Sequence, residues 1–495
     1  MIFYTNVQSY GGKILYRGVE NGNRVCKKFN YKPSLFFPTQ EPTEWTDIHG
    51  HYFHKQEFDS IRNAKEFMET YKGVSDFPIH GIRRFEYAFI RDYLKNSTWN
   101  IDYIKIFRID IEVKSDDGFP EPSRADKEVT AITIKSGEKF YIWGTGKFTP
   151  TKDNQTYFQF DNERSLMEHF LGFWVTNCPD IVTGWNIKFF DIPYLYNRLK
   201  KLFGEKKAMK LSPWGVVHDK YADFGNRKVL TYTLWGIATL DSIDLYQRYS
   251  PKGQSQDSYA LDNIAQVELN KTKLRYEGTL DELRKNDYQK YVEYNIEDVI
   301  LDHEIEAKYK LIFLALTLAY DNKVNIEDVF SQVRMWTVIT DNYLYNEKKV
   351  INHDFENTKD FYSGGYVKEP QIGMHEWVVS YDLNSLYPHL IMQYNIGPET
   401  LIDSDDYNTN HKILTDQWAN PEKILERKID TNLAKVENVT LTANNQLFRR
   451  DEQSFMSKLM ETMYNDRTRY KSEMIKCKKE LEVIKAEIEK RKNSK

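Results

Sequence analysis

Three features are scarce in this sequence: cysteine, long apolar runs and an excess of charge of one sign. The 495 residues contain three cysteines and no Cys-x-x-Cys pair, which argues against a zinc site or a disulfide framework and fits a reducing cytoplasm. No apolar run is long enough to span a membrane, and the first residues lack the pattern of a secretory signal. The formal net charge is −4, so any contact with nucleic acid must come from local basic patches.

The composition and the order of the patterns predict several domains of α/β and α+β class. Hydrophobic residues make up 40% of the chain and aromatic residues 15%, which is typical of a globular protein. We expect an N-terminal domain over 1–103 to which 309–353 return, and an α/β domain of alternating strands and helices over 104–308. A third region follows over 354–451. The tail, 452–495, has no proline or glycine and predicts a helix.

A β-hairpin is predicted inside the α/β region. The stretch Y-A-D-F-G-N-R-K-V runs from Tyr221 to Val229 and carries a Gly-Asn pair between two strand-like segments. Such a pair favours the tight turns that join antiparallel strands.

Two carboxylates share one face of a predicted strand in F-R-I-D-I-E-V. Ile109, Ile111 and Val113 alternate with Asp110 and Glu112, so the acids lie on the face opposite the apolar residues. Neighbouring carboxylates repel each other, and the pair is tolerated only if it is exposed to water or if a divalent cation neutralises it. The pattern therefore indicates either an ordinary half-exposed strand or a metal site.

Two more acidic segments can likewise be interpreted either as ordinary structure or as part of a functional site. In T-G-W-N-I-K-F-F-D-I-P, Asp191 precedes a proline suited to a first helical turn, so it is either an N-cap or a functional acid accompanied by Asn186 and Phe190. In Y-V-E-Y-N-I-E-D-V-I, Tyr294 and Asp298 are four residues apart and share one helix face. Alone, that spacing also fits a plain amphipathic helix.

A single acid stands in Y-D-L-N-S-L-Y-P. Asp382 follows the apolar run W-V-V-S, which predicts a strand, and it precedes a turn and a helix start. This arrangement resembles half of a metal site. No partner carboxylate is evident in the residues that follow.

The three acidic segments, taken in order, resemble the proofreading exonuclease of the family B DNA polymerases. The longer motifs N-Y-K-P-S-L-F-F-P, D-I-E-V-K-S-D-D-G-F-P-E-P-S and F-Y-S-G-G-Y-V-K-E-P are similar to those of the replicative polymerases of T-even-type phages. The resemblance runs from about residue 28 to about residue 471. It implies the N-terminal portion of such an enzyme: a family B N-terminal domain, a ribonuclease H-like 3′–5′ exonuclease domain, a partial palm and the first fingers helix.

For the exonuclease, the resemblance implies a complete set of site residues. The metal ligands would be Asp110, Glu112, Asp191 and Asp298, holding two Mg²⁺ or Mn²⁺ ions. Tyr294 would orient the attacking water, and Lys273 matches a basic position that also fits a solvated surface lysine. Asn186 and Phe190 would bind the DNA end.

For the polymerase, the resemblance implies part of a second site. Asp382 and Leu383 would hold its two metal ions, and Tyr387 would exclude a 2′-hydroxyl unless it is a buried core tyrosine. Arg467 and Lys471 match cationic positions of the fingers, although both also fit a solvated helix face. The remaining candidates are substrate contacts: the backbone amides of Leu383, Asn384, Ser385, Leu386 and Tyr387 around the triphosphate, and Gly364 and Gly365 along the template.

The family's D-T-D motif, its K-x-x-x-N-S-x-Y-G helix and its thumb do not follow Asp382. We therefore expect a second polymerase chain to carry the rest of the palm, the fingers and the thumb. A heptad stripe along the tail would contact that chain, or else form a homodimeric coiled coil or stay frayed. The stripe consists of Tyr470, Met474, Cys477, Leu481, Ile484 and Ile488.

The expected partners are primer–template DNA, single-stranded DNA, deoxynucleoside triphosphates and other replisome proteins, in the cytoplasm of an infected bacterium. Two other functions remain possible on the sequence: a stand-alone 3′–5′ DNA exonuclease, and a DNA-binding module without turnover. The sequence also allows a fragment of a longer protein.

Overall fold

The computed structural model describes most of the chain and divides it into two compact units. The described residues are 1–74, 77–115, 118, 120–224, 227–253, 255–351, 369–402, 416–417 and 419–493. The first unit comprises the described residues of Met1–Pro38, Phe53–Glu347 and Ile351–His353, and the second comprises those of Thr39–Tyr52, Lys348–Val350 and Asp354–Lys495. The mixed α/β, multidomain class is therefore confirmed. Among the described residues, no helix is both long and apolar enough to cross a membrane.

The first unit begins with a three-stranded antiparallel meander. Its strands are β1 (Ile2–Tyr10), β2 (Lys13–Glu20) and β3 (Asn23–Phe29). A second antiparallel pair joins β4 (Ser34–Pro38) to β6 (Tyr52–Glu57), and the helices α1 (Ile61–Thr70) and α2 (Phe85–Tyr93) follow.

A six-stranded mixed sheet forms the centre of the first unit, in the order β10-β9-β8-β7-β11-β14. The strands are β7 (Ile106–Val113), β8 (Val129–Ser136), β9 (Lys139–Gly144), β10 (Gln155–Gln159), β11 (Ile181–Gly184) and β14 (Ala238–Asp241). The helices of this region are α3 (Glu163–Asn177), α4 (Asp191–Phe203), α5 (Glu205–Ala208), α6 (Ser242–Tyr249), α7 (Leu261–Leu269), α8 (Leu280–Asn286) and α9 (Tyr288–Tyr309).

The predicted hairpin is confirmed as a pair of antiparallel strands. It consists of β12 (Val217–Phe224) and β13 (Arg227–Leu234), and the register pairs Phe224 with Arg227. The Gly-Asn turn that we predicted between them, 225–226, lies outside the described residues.

The helices α10 (Leu311–Asp321) and α11 (Gln332–Asn346) contribute to the same hydrophobic core as β1 and β2. The Tyr4 hydroxyl donates to the carbonyl of Val324 at 2.8 Å, and the Val7 amide donates to Asn325 Oδ1 at 2.8 Å. Because these groups are buried, the bonds tie the segment after α10 to the first strand of the chain.

The second unit contains two short strand pairs and four helices among its described residues. The strand β5 (Trp45–Asp47) pairs with β15 (Lys349–Val350) in parallel, and β16 (Val439–Leu441) pairs with β17 (Leu447–Arg449) in antiparallel. The helices are α12 (Leu386–Tyr394), α13 (Pro421–Leu425), α14 (Thr431–Val436) and α15 (Phe455–Asn493).

The strand predicted before Asp382 is wrong. The chain from Trp377 to Asp382 has no regular structure, and its side chains are exposed. A strand is stable only when a neighbouring strand accepts and donates its backbone hydrogen bonds. No described segment pairs with this one, so the β-favouring run W-V-V-S-Y forms no strand, and Trp377 adopts a left-handed backbone conformation with φ of 58°.

The predicted tail helix is confirmed as α15, which runs for 39 residues. Ser454 caps it, because its Oγ accepts the Ser457 amide at 3.0 Å and donates to the carbonyl of Ile396 at 3.0 Å. Every residue from Asn465 to Lys492 is exposed, including the six members of the heptad stripe.

Candidate active site

Three carboxylates from two elements converge at one end of the first unit's sheet. Asp110 and Glu112 lie on β7 and Asp298 lies on α9, and one oxygen atom from each lies within 4.8 Å of the others. In the part of the chain that the structure describes, this is the one group of three or more His, Cys, Asp or Glu side chains close enough to hold a metal ion. The arrangement suits a hard divalent cation, which prefers carboxylate oxygens.

Burial decides between the two interpretations of the β7 acids. Glu112 is 8% exposed, Asp110 is half-buried, and Asp298 beside them is 5% exposed, so the acids do not lie on an ordinary solvent-facing strand surface. Grouping buried carboxylates is costly unless a cation neutralises them. In addition, Asp298 Oδ1 is buried and accepts no hydrogen bond from any described residue. An unsatisfied buried carboxylate oxygen facing other carboxylates fits a metal ligand.

Asp191 joins this group through the backbone of β7. It is the first residue of α4, and its Oδ1 accepts the Ile111 amide at 3.0 Å. That amide lies between the two β7 acids. The carboxylate of Asp191 therefore faces β7 and does not cap α4. The N-cap interpretation is therefore wrong. The end of β11 also lies close to β7, and this contact requires glycine at 184. A Cβ at that position would lie 2.3 Å from the carbonyl oxygen of Ile109.

The face of α9 that carries Asp298 also carries Tyr294 and Asn295. Asn295 Nδ2 donates to Asp110 Oδ2 at 2.6 Å. Lys273 Nζ donates to Asp298 Oδ2 at 2.5 Å and lies 3.3 Å from the Tyr294 hydroxyl. The interpretation of Lys273 as a solvated surface lysine is wrong, because it pairs with buried Asp298. The interpretation of this α9 segment as a plain amphipathic helix is also wrong, because its polar face contacts Lys273 and Asp110.

Burial raises the pKa of each member of the group, and the charges of neighbouring acids add to the shift at Asp110, Glu112 and Asp191. Burial, followed by the charge of Asp298, raises the pKa of Glu112 to about 8. Burial likewise raises the pKa of Asp191 to about 8, although backbone amides stabilise its charged form. The pKa of Asp110 lies well above its ordinary value because of burial and the three neighbouring acids. Burial also raises the pKa of Asp298, and Lys273 opposes that shift.

Asn186 and Phe190 lie in the turn that leads to Asp191. Asn186 adopts a left-handed backbone conformation with φ of 67°, which asparagine tolerates better than most residues, and its side chain is half-buried. The ring of Phe190 lies 5.6 Å from that of Tyr194 on α4 and is also half-buried.

Three residues near the site were missed in the sequence. Asn295 precedes Asp298 by three positions, so helical spacing alone could have placed it on the same face. Tyr276 packs its ring edge-on against Tyr294 at 5.4 Å, which no local pattern indicates. Asp241 is buried at the end of β14 and accepts backbone amides of the turn before Asp191. Only the strand order brings it there.

The described candidates for the second site lie in the second unit, and all of them except half-buried Ser385 are exposed. Asp382 stands in irregular chain just before α12, and Tyr387 is 75% exposed, so the buried core tyrosine is wrong. Arg467 Nη1, from α15, donates to Asn384 Oδ1 at 3.0 Å and to the hydroxyl of Ser385. One cationic side chain therefore lies directly over the turn that follows Asp382.

Other predicted members of that site are exposed or lie outside the described residues. The neighbouring turn residues Leu383 and Leu386 are exposed, and Lys471 lies on α15 one turn beyond Arg467. Gly364 and Gly365 lie outside the described residues. No group of potential metal-binding side chains forms around Asp382 among the residues that the structure describes.

Two family models match the chain. One is described as "DNA polymerase family B, exonuclease domain" and matches residues 87–264, and the other as "DNA polymerase family B" and matches residues 327–491. The first match contains Asp110, Glu112 and Asp191, and the second contains Asp382 and Arg467.

Individual relatives give the same result. The chain is 33% identical to a DNA-directed DNA polymerase of Escherichia phage RB69 over 98% of this chain and 55% of the relative. It is 31% identical to that of Enterobacteria phage T4 over 81% of this chain and 47% of the relative. A DNA polymerase of Red sea bream iridovirus is 27% identical over 60% of this chain. The chain spans about half the length of the two phage relatives. With these matches in both units and a carboxylate cluster in the first, the chain belongs to the family B DNA polymerases.

Proposed function

We propose that the first unit is a 3′–5′ exonuclease that removes nucleotides from DNA ends with two divalent metal ions, Mg²⁺ or Mn²⁺. The observation that carries the proposal is the convergence of Asp110, Glu112 and Asp298 within 4.8 Å. Asp191 adds a fourth carboxylate through its bond to the β7 backbone. Two-metal phosphodiester hydrolysis needs such a set, with the ions about 3.5–4 Å apart.

The strand order supports a ribonuclease H-like fold for this domain. If β7, β8, β9, β11 and β14 are numbered one to five along the chain, their order in the sheet is 3-2-1-4-5. The second of them is antiparallel to the first, whereas the fourth and fifth are parallel to it. We infer that the first strand of this motif carries the D-x-E acids and that α9 supplies the last ligand.

The chain's own residues then act on the DNA end and on the attacking water. The four carboxylates hold the cations, which when bound would activate the water and stabilise the leaving oxygen. Burial and the charge of Asp298 raise the pKa of the Tyr294 phenol, so it remains protonated and donates a hydrogen bond that orients the water. Lys273 holds Asp298 and limits repulsion between the acids. Asn186 and Phe190 contact the terminal nucleotide.

Digestion of end-labelled single-stranded DNA tests this activity. Wild-type protein with Mn²⁺ should shorten a 5′-labelled oligonucleotide from its 3′ end. The Asp110→Ala, Glu112→Ala double variant should lose that activity by more than about a thousandfold, because it removes two metal ligands.

The matched control is Asp153→Asn, which removes a carboxylate from an exposed loop of the same domain. That variant should digest DNA like the wild type. If the wild type degrades DNA no faster than the double variant, the exonuclease assignment is wrong.

We further propose that the second unit contributes part of a DNA-directed DNA polymerase site. Asp382 and Leu383 would hold the metal ions, and the amides that follow would hold the triphosphate of the incoming nucleotide. The position of Arg467 over Asn384 and Ser385 supports this, because a guanidinium fork suits a phosphate group. Lys471 would add a second cation. Exposed Tyr387 would contact the sugar and exclude a 2′-hydroxyl, and Gly364 and Gly365 would contact the template.

A second polypeptide would complete this site with the remaining palm carboxylates, fingers and thumb. One carboxylate is not enough to hold two cations during nucleotidyl transfer. The exposed stripe on α15 supports an interface, since Leu481, Ile484 and Ile488 are each about half exposed. Covering such side chains contributes about 1.5–3 kcal/mol each at full burial. Homodimerisation through this stripe is the competing arrangement.

By analogy with the named phage relatives, the substrates would be primer–template DNA, single-stranded DNA and deoxynucleoside triphosphates. The site of action would be the cytoplasm of an infected bacterium, with other replisome proteins as partners. A stand-alone exonuclease is the second candidate, because the acids are assembled in the first unit alone. A DNA-binding module without turnover is disfavoured, since simple binding does not require a buried group of four acids.

A further inference from the structure

A buried carboxylate outside the metal-binding group accepts hydrogen bonds from the turn that leads to Asp191. Asp241 is 3% exposed and ends β14, where the sheet register pairs it with Gly184 at the end of β11. Its Oδ1 accepts the amides of Asn186 at 3.3 Å and Ile243 at 2.9 Å, and its Oδ2 accepts the amide of Lys188 at 2.9 Å.

These bonds begin a chain of contacts that leads from Asp241 through the turn to Asp191 and β7. The carbonyl of Asn186 accepts the amides of Phe189 and Phe190 at 3.2 and 3.1 Å. The next residue is Asp191, whose Oδ1 accepts the Ile111 amide at 3.0 Å between the two β7 acids. A displacement of Asn186 would therefore move Asp191 relative to β7.

Helix capping explains only one of the three bonds. The bond to the Ile243 amide caps α6, and a serine or asparagine oxygen could make it as well. Capping does not require a second oxygen, yet Oδ2 is directed at the Lys188 amide. Only a carboxylate offers acceptors on both sides, since one end of an asparagine amide is a donor. The left-handed φ of 67° at Asn186 is a conformation that such bonds hold in place.

We propose that Asp241 is a positioning residue for the exonuclease site, which acts through the backbone of 186–190 to hold Asp191 at the distance that metal binding requires. This rests on the exonuclease function proposed above. Asp241 is not a member of the carboxylate group and bonds to backbone amides, so its effect would appear in turnover and metal affinity more than in DNA binding.

The test compares Asp241→Asn with Asp244→Asn in the full chain. The first substitution keeps Oδ1 for the amides of Ile243 and Asn186 but presents an NH₂ group to the Lys188 amide in place of the acceptor Oδ2. The control residue, Asp244, lies on α6, and its substitution removes the bond between Asp244 Oδ2 and Lys188 Nζ, a side-chain contact of 2.8 Å. Asp241→Ser, which keeps the cap, serves if the asparagine variant does not fold.

We expect kcat on a single-stranded oligonucleotide and Mn²⁺ affinity each to fall about 10–100-fold in Asp241→Asn, with a smaller change in KM. Hydrogen exchange at the amide of Lys188 should accelerate, because this amide loses its acceptor, while the unfolding midpoint stays within a few degrees. The control should change kcat less than about twofold.

Two results would overturn the proposal. An unchanged kcat despite accelerated exchange would mean that the turn does not need Asp241, and a loss of kcat equal to the loss of folded protein would mean a purely structural role. If wild-type protein neither binds Mn²⁺ nor digests DNA, the exonuclease function itself fails and the positioning role fails with it.

Discussion

The acids of the first unit and the lone Asp382 of the second belong to the same family pattern, but they differ in how far they are assembled. Asp110, Glu112, Asp191 and Asp298 come from three elements and are held by a backbone amide, an asparagine and a lysine. Asp382 is exposed in irregular chain, with Arg467 over the residues that follow it.

The difference teaches that burial and pairing measure the completeness of a site better than the presence of a motif. Both segments match family B profiles. In the first, Glu112 and Asp298 are buried, and burial raises the pKa values of Asp110 and Glu112, which is typical of a site built to bind a cation. Around Asp382, the described residues place Arg467 on Asn384 and Ser385, and they form no group of three or more potential metal-binding side chains.

The largest expected effect comes from removing the α9 ligand. Asp298→Ala should reduce exonuclease activity by about a thousandfold or more, since it removes a metal ligand and leaves Lys273 unpaired. Asp382→Ala should leave the digestion rate unchanged. Initial rates on a labelled oligonucleotide measure both. An equal loss in the two variants would contradict the separation of the two sites.

A smaller but still large effect should appear in reconstituted polymerisation. With a chain carrying the remaining palm, fingers and thumb, Leu481→Glu with Ile484→Glu should weaken assembly about 10–100-fold, because each charge must be desolvated at an apolar interface. Val483→Glu is the matched control, since it lies on the opposite face of α15. Primer extension against partner concentration gives the affinity. Equal effects of the stripe and control variants would exclude the stripe as the interface.

A third effect, of several-fold, concerns the hairpin. Its position in the proposed exonuclease domain resembles the family element that helps to separate a primer end from its template. Joining Lys220 to Thr231, which are register partners, with an Asn-Gly turn would remove its outer part, including Tyr221. Removal of a paired or mismatched primer terminus should slow several-fold, while digestion of single strands continues. Equal losses on both substrates would indicate only a folding role.

The smallest effect is a change in stability with pH. The pKa of Glu112 in the folded, metal-free protein is about 8, mainly because of burial, whereas an unfolded glutamate titrates near about 4.3. Ionisation of Glu112 therefore opposes folding as pH rises between these values. In EDTA at pH 8, Glu112→Gln should raise the free energy of unfolding by about 1–3 kcal/mol, with little difference at pH 4.

Urea denaturation at the two pH values measures this change, and Asp153→Asn again serves as the control. A glutamine variant that is less stable than the wild type at pH 8 would show that the repulsion between the acids is already offset without metal.

Local patterns in the sequence were enough to predict individual strands and helices. The alternation around Asp110 and Glu112 predicted β7, and the absence of proline and glycine predicted α15. The acids themselves could be grouped only by resemblance, since spacing alone left each with an ordinary structural interpretation. The roles of these residues and the domain boundaries stay predictions.

The errors and omissions have a different physical origin. W-V-V-S-Y predicted a strand from β-propensity, but strand formation depends on a pairing partner that a local pattern cannot supply. Asp241 and Tyr276 were missed because their relation to the acids depends on strand order and on packing between distant segments. Such contacts follow from the topology and leave no local signal.

A single primer–template assay tests the contrast between the two units most directly. Purified wild-type chain is incubated with 5′-labelled primer–template, Mg²⁺ and all four deoxynucleoside triphosphates, beside the Asp110→Ala, Glu112→Ala variant. The account predicts that the wild type shortens the primer and does not extend it, and that the variant does neither. Templated extension by the chain alone, or a primer left intact by the wild type, would contradict it.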